Sequence, residues 1–284
     1  MKKKIRTIIF CIACIGLAWS GFKLASYGYQ TYVTWHNVRE LAKLVNDADD
    51  RISIQDGDES VAETTSKTGE RSEKLLKRYQ KLYEMNSDFG GWLKVEGTSI
   101  DNPVMYTPTD SEHYLRLNFN GEYDIAGMLF IDGRCDITEK NRSENVIIYG
   151  HRMNNDTMFG PLRKFKKDAF FNENRTIYFD TLYGTGEYEI FAVILSEAYD
   201  ENDDTFKYYD YIDDYNEDDF NLLMEDLRAL AIQYDEEAAP EYGDQLLTLS
   251  TCDYYKEDGR LAVIAKRVNY PDQIGRAHVR TPVT

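Results

Sequence analysis

Cysteine and histidine are both scarce in this chain, with four of each in 284 residues. Cys11 and Cys14 fall inside an apolar N-terminal run, where they read as small apolar side chains. Only Cys135 and Cys252 remain, so the rest of the chain holds at most one disulfide, and the alternative is a functional free thiol. Positive charge is also in short supply: 33 Lys and Arg stand against 50 Asp and Glu, a net charge of -17. Lys2, Lys3, Lys4, Arg6 and Lys23 crowd into a start that contains no acid, so the remainder is more acidic still. Nucleic-acid binding needs a basic footprint, which this composition lacks. The charge suits a soluble domain held off other anionic surfaces.

Two further features are missing. No A-x-A-like cleavage site clearly follows the apolar start. The segment "DENDDTFKYYDYIDDYNEDD" at residues 200–219 is half acidic, yet it lacks the alternate ligand spacing and the sixth-position glycine of an EF-hand loop. It reads as a solvated surface loop rather than a calcium site, and no cofactor or metal set is expected.

The N-terminus carries a membrane pattern. After the basic flank "MKKKIR" comes "TIIFCIACIGLAWSGF", an uncharged run that "LASYGY" extends past Lys23. A lysine there can snorkel, and the total approaches the roughly 20 residues that cross a bilayer. The reading is an uncleaved signal-anchor over residues 1–28, in preference to a cleaved signal peptide or a lipoprotein site at Cys14. The positive-inside rule puts the N-terminus in the cytoplasm and the rest outside, as a single-pass protein. Residues 29–69 then read as an extracellular helix and a polar linker, residues 70–274 as the main domain, and residues 275–284 as a tail of non-native character.

Hydrophobic residues make up 42% of the chain, and the length allows one large domain or two small ones. "GERSEKLLKRYQKLYEMN" sets Leu75, Leu76, Tyr79, Leu82 and Tyr83 at helical spacing. From Gly90 the period turns strand-like. "GWLKVEGTSI", "NPVMYT", "AGMLFID", "NVIIYGH", "TIYFDTLYG", "EYEIFAVILS", "LLTLSTC" and "RLAVIAKRV" are β-rich runs parted by turn residues. About eight strands predict a mainly β fold, an antiparallel barrel or sandwich. Helical patterns interrupt at "TMFGPLRKFKKDAFF" and at "NEDDFNLLMEDLRALAIQY". The second opens on Asn216 as N-cap with Asp219 three residues on, and it aligns Phe220, Leu223, Leu227, Leu230 and Ala231.

The chemistry concentrates at "LLTLSTCDYYKEDGRLAVIAKRV". Seven residues, Asp253 to Gly259, join two apolar strands, so Cys252 and Arg260 share one end of a sheet. A guanidinium beside a cysteine favours the nucleophilic thiolate and can hydrogen-bond an oxyanion. On these residues alone, a buried cysteine beside a surface arginine is an equally good account. A thiol catalyst also needs an acid/base partner. His36 lies in helical sequence just outside the membrane run, and His113 lies in "DSEHYL", a surface helical turn. His151 ends a strong β run, where a rigid scaffold presents reactive groups.

"TLSTC" with an arginine opening the next strand, and the histidine of "VIIYGH", resemble a sortase. "GWLKVEGTSIDNPVMY", "HYL", "GMLFID" and "GHRMNNDTMFGPLRKF" resemble the class B branch. The resemblance covers about residues 70–270. It implies an eight-stranded sortase-type β-barrel with N-terminal helices and one long helix before the cysteine strand, on the outer face of a Gram-positive membrane. It also implies roles. Cys252 would attack a threonine carbonyl in a sorting motif of the Asn-Pro-x-Thr-Asn/Gly kind, giving a thioacyl-enzyme. His151 would protonate the departing amine and deprotonate the incoming one, while Arg260 would hold the substrate backbone and oxyanion. Ser250, Thr251 and Asp253 would contact substrate. The implied partners are motif-bearing surface proteins and an acceptor amine from a peptidoglycan precursor or a pilin. No aspartate-aromatic lid motif of the pilin-assembling class C kind is present, although pilus assembly stays open as an alternative. Two rivals differ in detail. An L,D-transpeptidase sets a glycine before its cysteine, where this chain has Thr251, and a papain-like peptidase sets its cysteine early at a helix start. A non-enzymatic membrane-anchored β-domain, with Cys135 bridged to Cys252, is the remaining alternative.

Overall fold

The computed structural model describes residues 2–55, 61–63, 74–138, 140–200 and 203–268. The tail at 275–284 lies outside the described residues, as does most of the expected polar linker. A long helix, α1 (Lys2–Gln55), comes first. A two-stranded ribbon of β1 (Val61–Glu63) and β2 (Lys74–Leu76) leads into α2 (Lys77–Met85). The barrel strands follow: β3 (Phe89–Val95), β4 (Asp101–Met105), β5 (Leu129–Ile131), β6 (Asn145–Tyr149), β7 (Thr176–Thr181) and β8 (Glu187–Glu197). Between β6 and β7 lie a 3-10 helix (Gly160–Lys166) and α3 (Asp168–Glu173). After β8 come α4 (Glu217–Leu230), β9 (Ala231–Tyr234), β10 (Leu246–Cys252) and β11 (Gly259–Arg267).

Eight strands run in the order β11-β10-β6-β5-β4-β3-β7-β8, and β8 pairs β11 to close the ring. Closure removes exposed sheet edges. Each of the eight β-rich runs in the sequence supplies one of these strands. The antiparallel expectation holds except at two places, where β4 runs parallel to β5 and β6 runs parallel to β10. Both parallel pairs are joined by long excursions, as parallel neighbours require.

Alternation fixes which side chains fill the barrel. Leu93 and Val95, Val146 and Ile148, Leu247 and Leu249, and Leu261 and Val263 share one fully buried cluster. β8 reads as an almost continuous apolar run because both of its faces are covered. Ile190 and Val193 join the inner cluster, while Phe191 and Ile194 pack outside against Leu223 and Leu227 of α4.

Asn216 caps α4 as its sequence predicts: its side chain accepts from the Asp218 and Asp219 backbone, and Asp219 returns the bond to the Asn216 backbone. The helix stops at Leu230, short of the expected end near Tyr234, and "AIQY" becomes β9 against β8. β7 pairs only the start of β8, and the rest of that side of β8 offers hydrogen bonds to the segment, which outweighs a continued helix. Likewise Lys74–Leu76 is drawn into the ribbon, so α2 starts later than its pattern.

The N-terminal run and the helix after it form one unbroken element, α1. Its stretch from Phe10 to Asp47 is long and apolar enough to cross a membrane. Thr34, Leu41 and Val45 are buried against the domain, and the last two join Tyr79, Leu82, Phe89, Trp92 and Met105 in a second cluster.

Candidate active site

Three adjacent strand ends build the site. β10 is the middle one. On one side, antiparallel β11 sets Arg260 directly opposite Cys252. On the other, parallel β6 pairs Ser250 with Tyr149, and the same register carried two residues further brings His151 level with Cys252. Two bonds extend the pairing past the last strand residue: Gly150 N donates to Ser250 O at 3.2 Å, and Thr251 Oγ1 donates to Gly150 O at 2.7 Å. Neighbouring strands lie about 4.8 Å apart, so side chains at one level face each other. Leu247 and Leu249 point into the barrel, so Ser250 and Cys252, with Tyr149 and His151, point outward. Gly150 sits where a Cβ would collide with the side chains of Leu129 and Phe159, so the turn into His151 needs a glycine.

His151 is half-buried, and its Nε2 lies 2.9 Å from the carbonyl oxygen of Leu115. A carbonyl only accepts, so Nε2 carries the proton and Nδ1 is the free lone pair of the neutral ring. Burial holds the imidazole below the usual histidine range. The Leu115 carbonyl opposes this shift, and nearby Arg116 adds to it. Arg260 is partly exposed, and its Nη1 donates to the Asp258 and Gly259 carbonyls, each at 3.2 Å. These bonds tether the guanidinium to its own turn, where Asp258 takes the left-handed φ of 53°.

The cleft holding these groups measures about 400 Å³ and is lined by Ser250, Cys252, His151 and Arg260 together with aromatic walls. Phe130, Tyr149 and Tyr199 supply part of these walls, and the rest comes from the segment read as a solvated acidic loop. Tyr208 and Tyr215 are buried, and Tyr208 and Tyr209 line the cleft. Tyr208 Oη and Ser250 Oγ share a buried hydrogen bond of 2.7 Å. Burial pushes the Tyr208 hydroxyl up to about 12, so it stays protonated. Arg134 anchors this roof by grasping Asp132 at 3.0 and 2.8 Å and donating to the Tyr209 carbonyl at 2.7 Å. The Tyr149 hydroxyl donates to the same carboxylate at 3.1 Å. Burial alone would raise the Asp132 carboxyl, but the bonds from Arg134 hold it below the usual range. None of Asp132, Arg134, Tyr149, Tyr208 or Tyr209 was among the residues singled out from the sequence. The recurrent tyrosines within the acidic run are the signal that could have found the roof.

The other expected site residues divide. Ser250 lines the cleft, and Thr251 also borders it, although its hydroxyl is bound to Gly150 O. Asp253 is buried and turned aside, outside the cleft lining. Its carboxylate faces Lys166 at 2.7 Å and Arg152 at 3.6 Å, and Arg152 in turn stacks over Tyr254. Asp253 therefore joins the loop after Cys252 to the loop after His151. His113 sits exposed beside Asp110 at 3.3 Å, in a surface 3-10 turn. Cys135 and Cys252 are both free thiols. Cys135 lies in the barrel core, where burial pushes its thiol up to about 12. Among the described residues, no cluster of three or more His, Cys, Asp or Glu is arranged to hold a metal.

Comparisons with known proteins point to one family. The family model for the sortase domain matches residues 93–268. Sortase B of Listeria monocytogenes is 31% identical over 251 residues, covering 88% of this chain and 91% of the relative. Sortase B of Staphylococcus aureus is 29% identical over 196 residues, covering 68% of this chain and 76% of the relative. Among solved structures, sortase B from Bacillus anthracis in complex with AAEK1 superposes with a TM-score of 0.66 at 26% identity, covering 85% of this chain and 99% of that one.

Proposed function

Since the chain belongs to the sortase family, in its class B branch, and sortases are cysteine transpeptidases, we propose that Cys252, His151 and Arg260 are its catalytic groups. The observation that carries this reading is the shared register of β6, β10 and β11, which sets all three side chains at one level of one cleft.

The Cys252 thiol gives its proton to the free Nδ1 of His151, and the sulfur attacks the threonine carbonyl carbon of a sorting motif resembling Asn-Pro-x-Thr-Asn/Gly. A carbon–sulfur bond forms and the carbonyl electrons move onto oxygen, where the Arg260 guanidinium donates to the oxyanion. The intermediate collapses as His151 protonates the leaving nitrogen and the carbon–nitrogen bond breaks, leaving a thioester. An incoming amine gives its proton to His151, attacks the thioester and expels the Cys252 thiolate. Ser250, held by Tyr208, and Thr251 border the path of the substrate backbone. The acceptor is an amine of the cell wall. α1 anchors the enzyme across the membrane with its catalytic domain outside, a reading supported by the apolar stretch and the basic flank.

Cleavage of fluorogenic sorting-motif peptides tests the assignment. Cys252→Ala, His151→Ala and Arg260→Ala should each lose nearly all turnover, a fall on the order of 10³-fold or more. Turnover retained in Cys252→Ala would refute it.

A further inference from the structure

α1 does not end with the anchor read at residues 1–28; it runs on without a break into the flank of the domain. At 1.5 Å per residue, Thr31 lies only about 5 Å beyond Gly28, and Thr34 about 9 Å beyond it. The headgroup layer on one side of a bilayer is itself about 5–8 Å thick. Both threonines already touch the domain: Asn155 Nδ2 donates to Thr31 Oγ1 at 3.3 Å, and Thr34 Oγ1 donates to Asp124 Oδ2. Among the described side chains of α1, Thr34 is also the first to be buried. A domain gripped at that height by an unbroken helix meets the headgroup layer at the loops that hold the helix.

The chemistry of the surface agrees. α1 exposes Tyr27, Tyr29, Tyr32 and Trp35 around the same height. Tyrosine and tryptophan favour this layer because their rings are apolar and their polar tips stay wet. On the domain, Tyr123 is 69% exposed and adjoins Asp124. A large aromatic left in the open beside a membrane helix is the arrangement an interfacial anchor takes.

We infer that the face carrying Tyr123 and Asn155 rests on the bilayer surface, with Tyr123 inserted among the lipid headgroups. This rests on the reading of α1 as a membrane span. The strongly acidic domain gains nothing from anionic lipid, so contact through aromatic side chains is insensitive to salt. The inference also orients the catalytic cleft. The loop holding Asn155 starts at His151, and the loop holding Asp124 starts just after Leu115, whose carbonyl bonds His151. The His151 wall is therefore the membrane-side wall, and the cleft is served by substrates that are themselves held at the membrane.

Fluorescence of the full chain in phosphatidylcholine vesicles tests this, using lipids brominated either near the headgroup or deep in the acyl chain. A background of Trp19→Phe and Trp35→Phe keeps only Trp92, which is buried and bonded to Asp101 at 2.7 Å. In it, Tyr123→Trp should lose most of its added emission to shallow bromine, at low and high salt alike, while Tyr242→Trp, remote beside α4, should lose none. The span is read separately from Trp19, in a chain carrying Trp35→Phe, with deep bromine. If Trp19 is quenched and Tyr123→Trp is no more quenched than Tyr242→Trp, the docked face is wrong and the span stands. If Trp19 is not quenched, the span and the docked face fall together.

Discussion

Asp253 stands one residue after the cysteine, where the sequence invites a substrate contact. Its carboxylate is instead buried between Lys166 and Arg152. Because both cations are partly exposed, removing the carboxylate costs less than breaking a fully buried pair, about 2–3 kcal/mol. Asp253→Asn should lower unfolding stability by that amount in denaturant titrations. It should also reduce kcat more than KM, because the loops bearing Cys252 and His151 lose their tie. An unchanged kcat would leave Asp253 a purely structural residue. His151 makes a second prediction. Burial disfavours its charged form, so its NMR titration midpoint should fall below the ordinary value of about 6.5. As pH falls through that range, the unfolded chain binds a proton that the folded site resists. His151 therefore contributes stability above the range and loses it below. A midpoint at or above about 6.5 would contradict the burial argument.

At the scale of elements, what the sequence revealed depended on how local the signal was. The eight barrel strands were legible because alternation within five to ten residues marks each one, and the cap of α4 was legible because Asn216 and Asp219 lie three apart. Asn216→Ala should lower thermal stability by about 1 kcal/mol and leave peptide cleavage unchanged. Loss of activity without loss of stability would mean that α4 does more than cover β8. The hairpin ends Cys252 and Arg260, and His151 closing its own strand, were legible for the same local reason. The roof was not. Tyr208 lies in a segment whose composition looks solvated, and only its distant partners, Ser250 on β10 and the Arg134 clamp on the Tyr209 carbonyl, explain its burial. β9 was missed because the edge of β8 decides its conformation, and that edge is invisible in "AIQY" itself.

At the scale of the molecule, α1 has two tasks along one axis. Its first half is apolar and exposed, and its second half buries Leu41 and Val45 against the barrel. Deleting residues up to about 28 should yield a soluble domain with full peptide turnover. Extending the deletion through α1 strips two core side chains worth about 1.5–3 kcal/mol each and should lower the melting temperature by several degrees. Equal melting temperatures for the two truncations would show that the docked half of α1 contributes nothing to the fold.

The parallel pairing of β6 with β10 joins stretches roughly a hundred residues apart in the chain, and such long-range pairings form slowly because a large loop must close first. During synthesis, His151 emerges long before Cys252, and Arg260 emerges after both. No partly made or partly folded chain holds all three at one level. On the proposed mechanism the chain acquires its reactivity only when β10 and β11 complete the ring, and a thiol that could attack the wrong carbonyl stays unassisted until then.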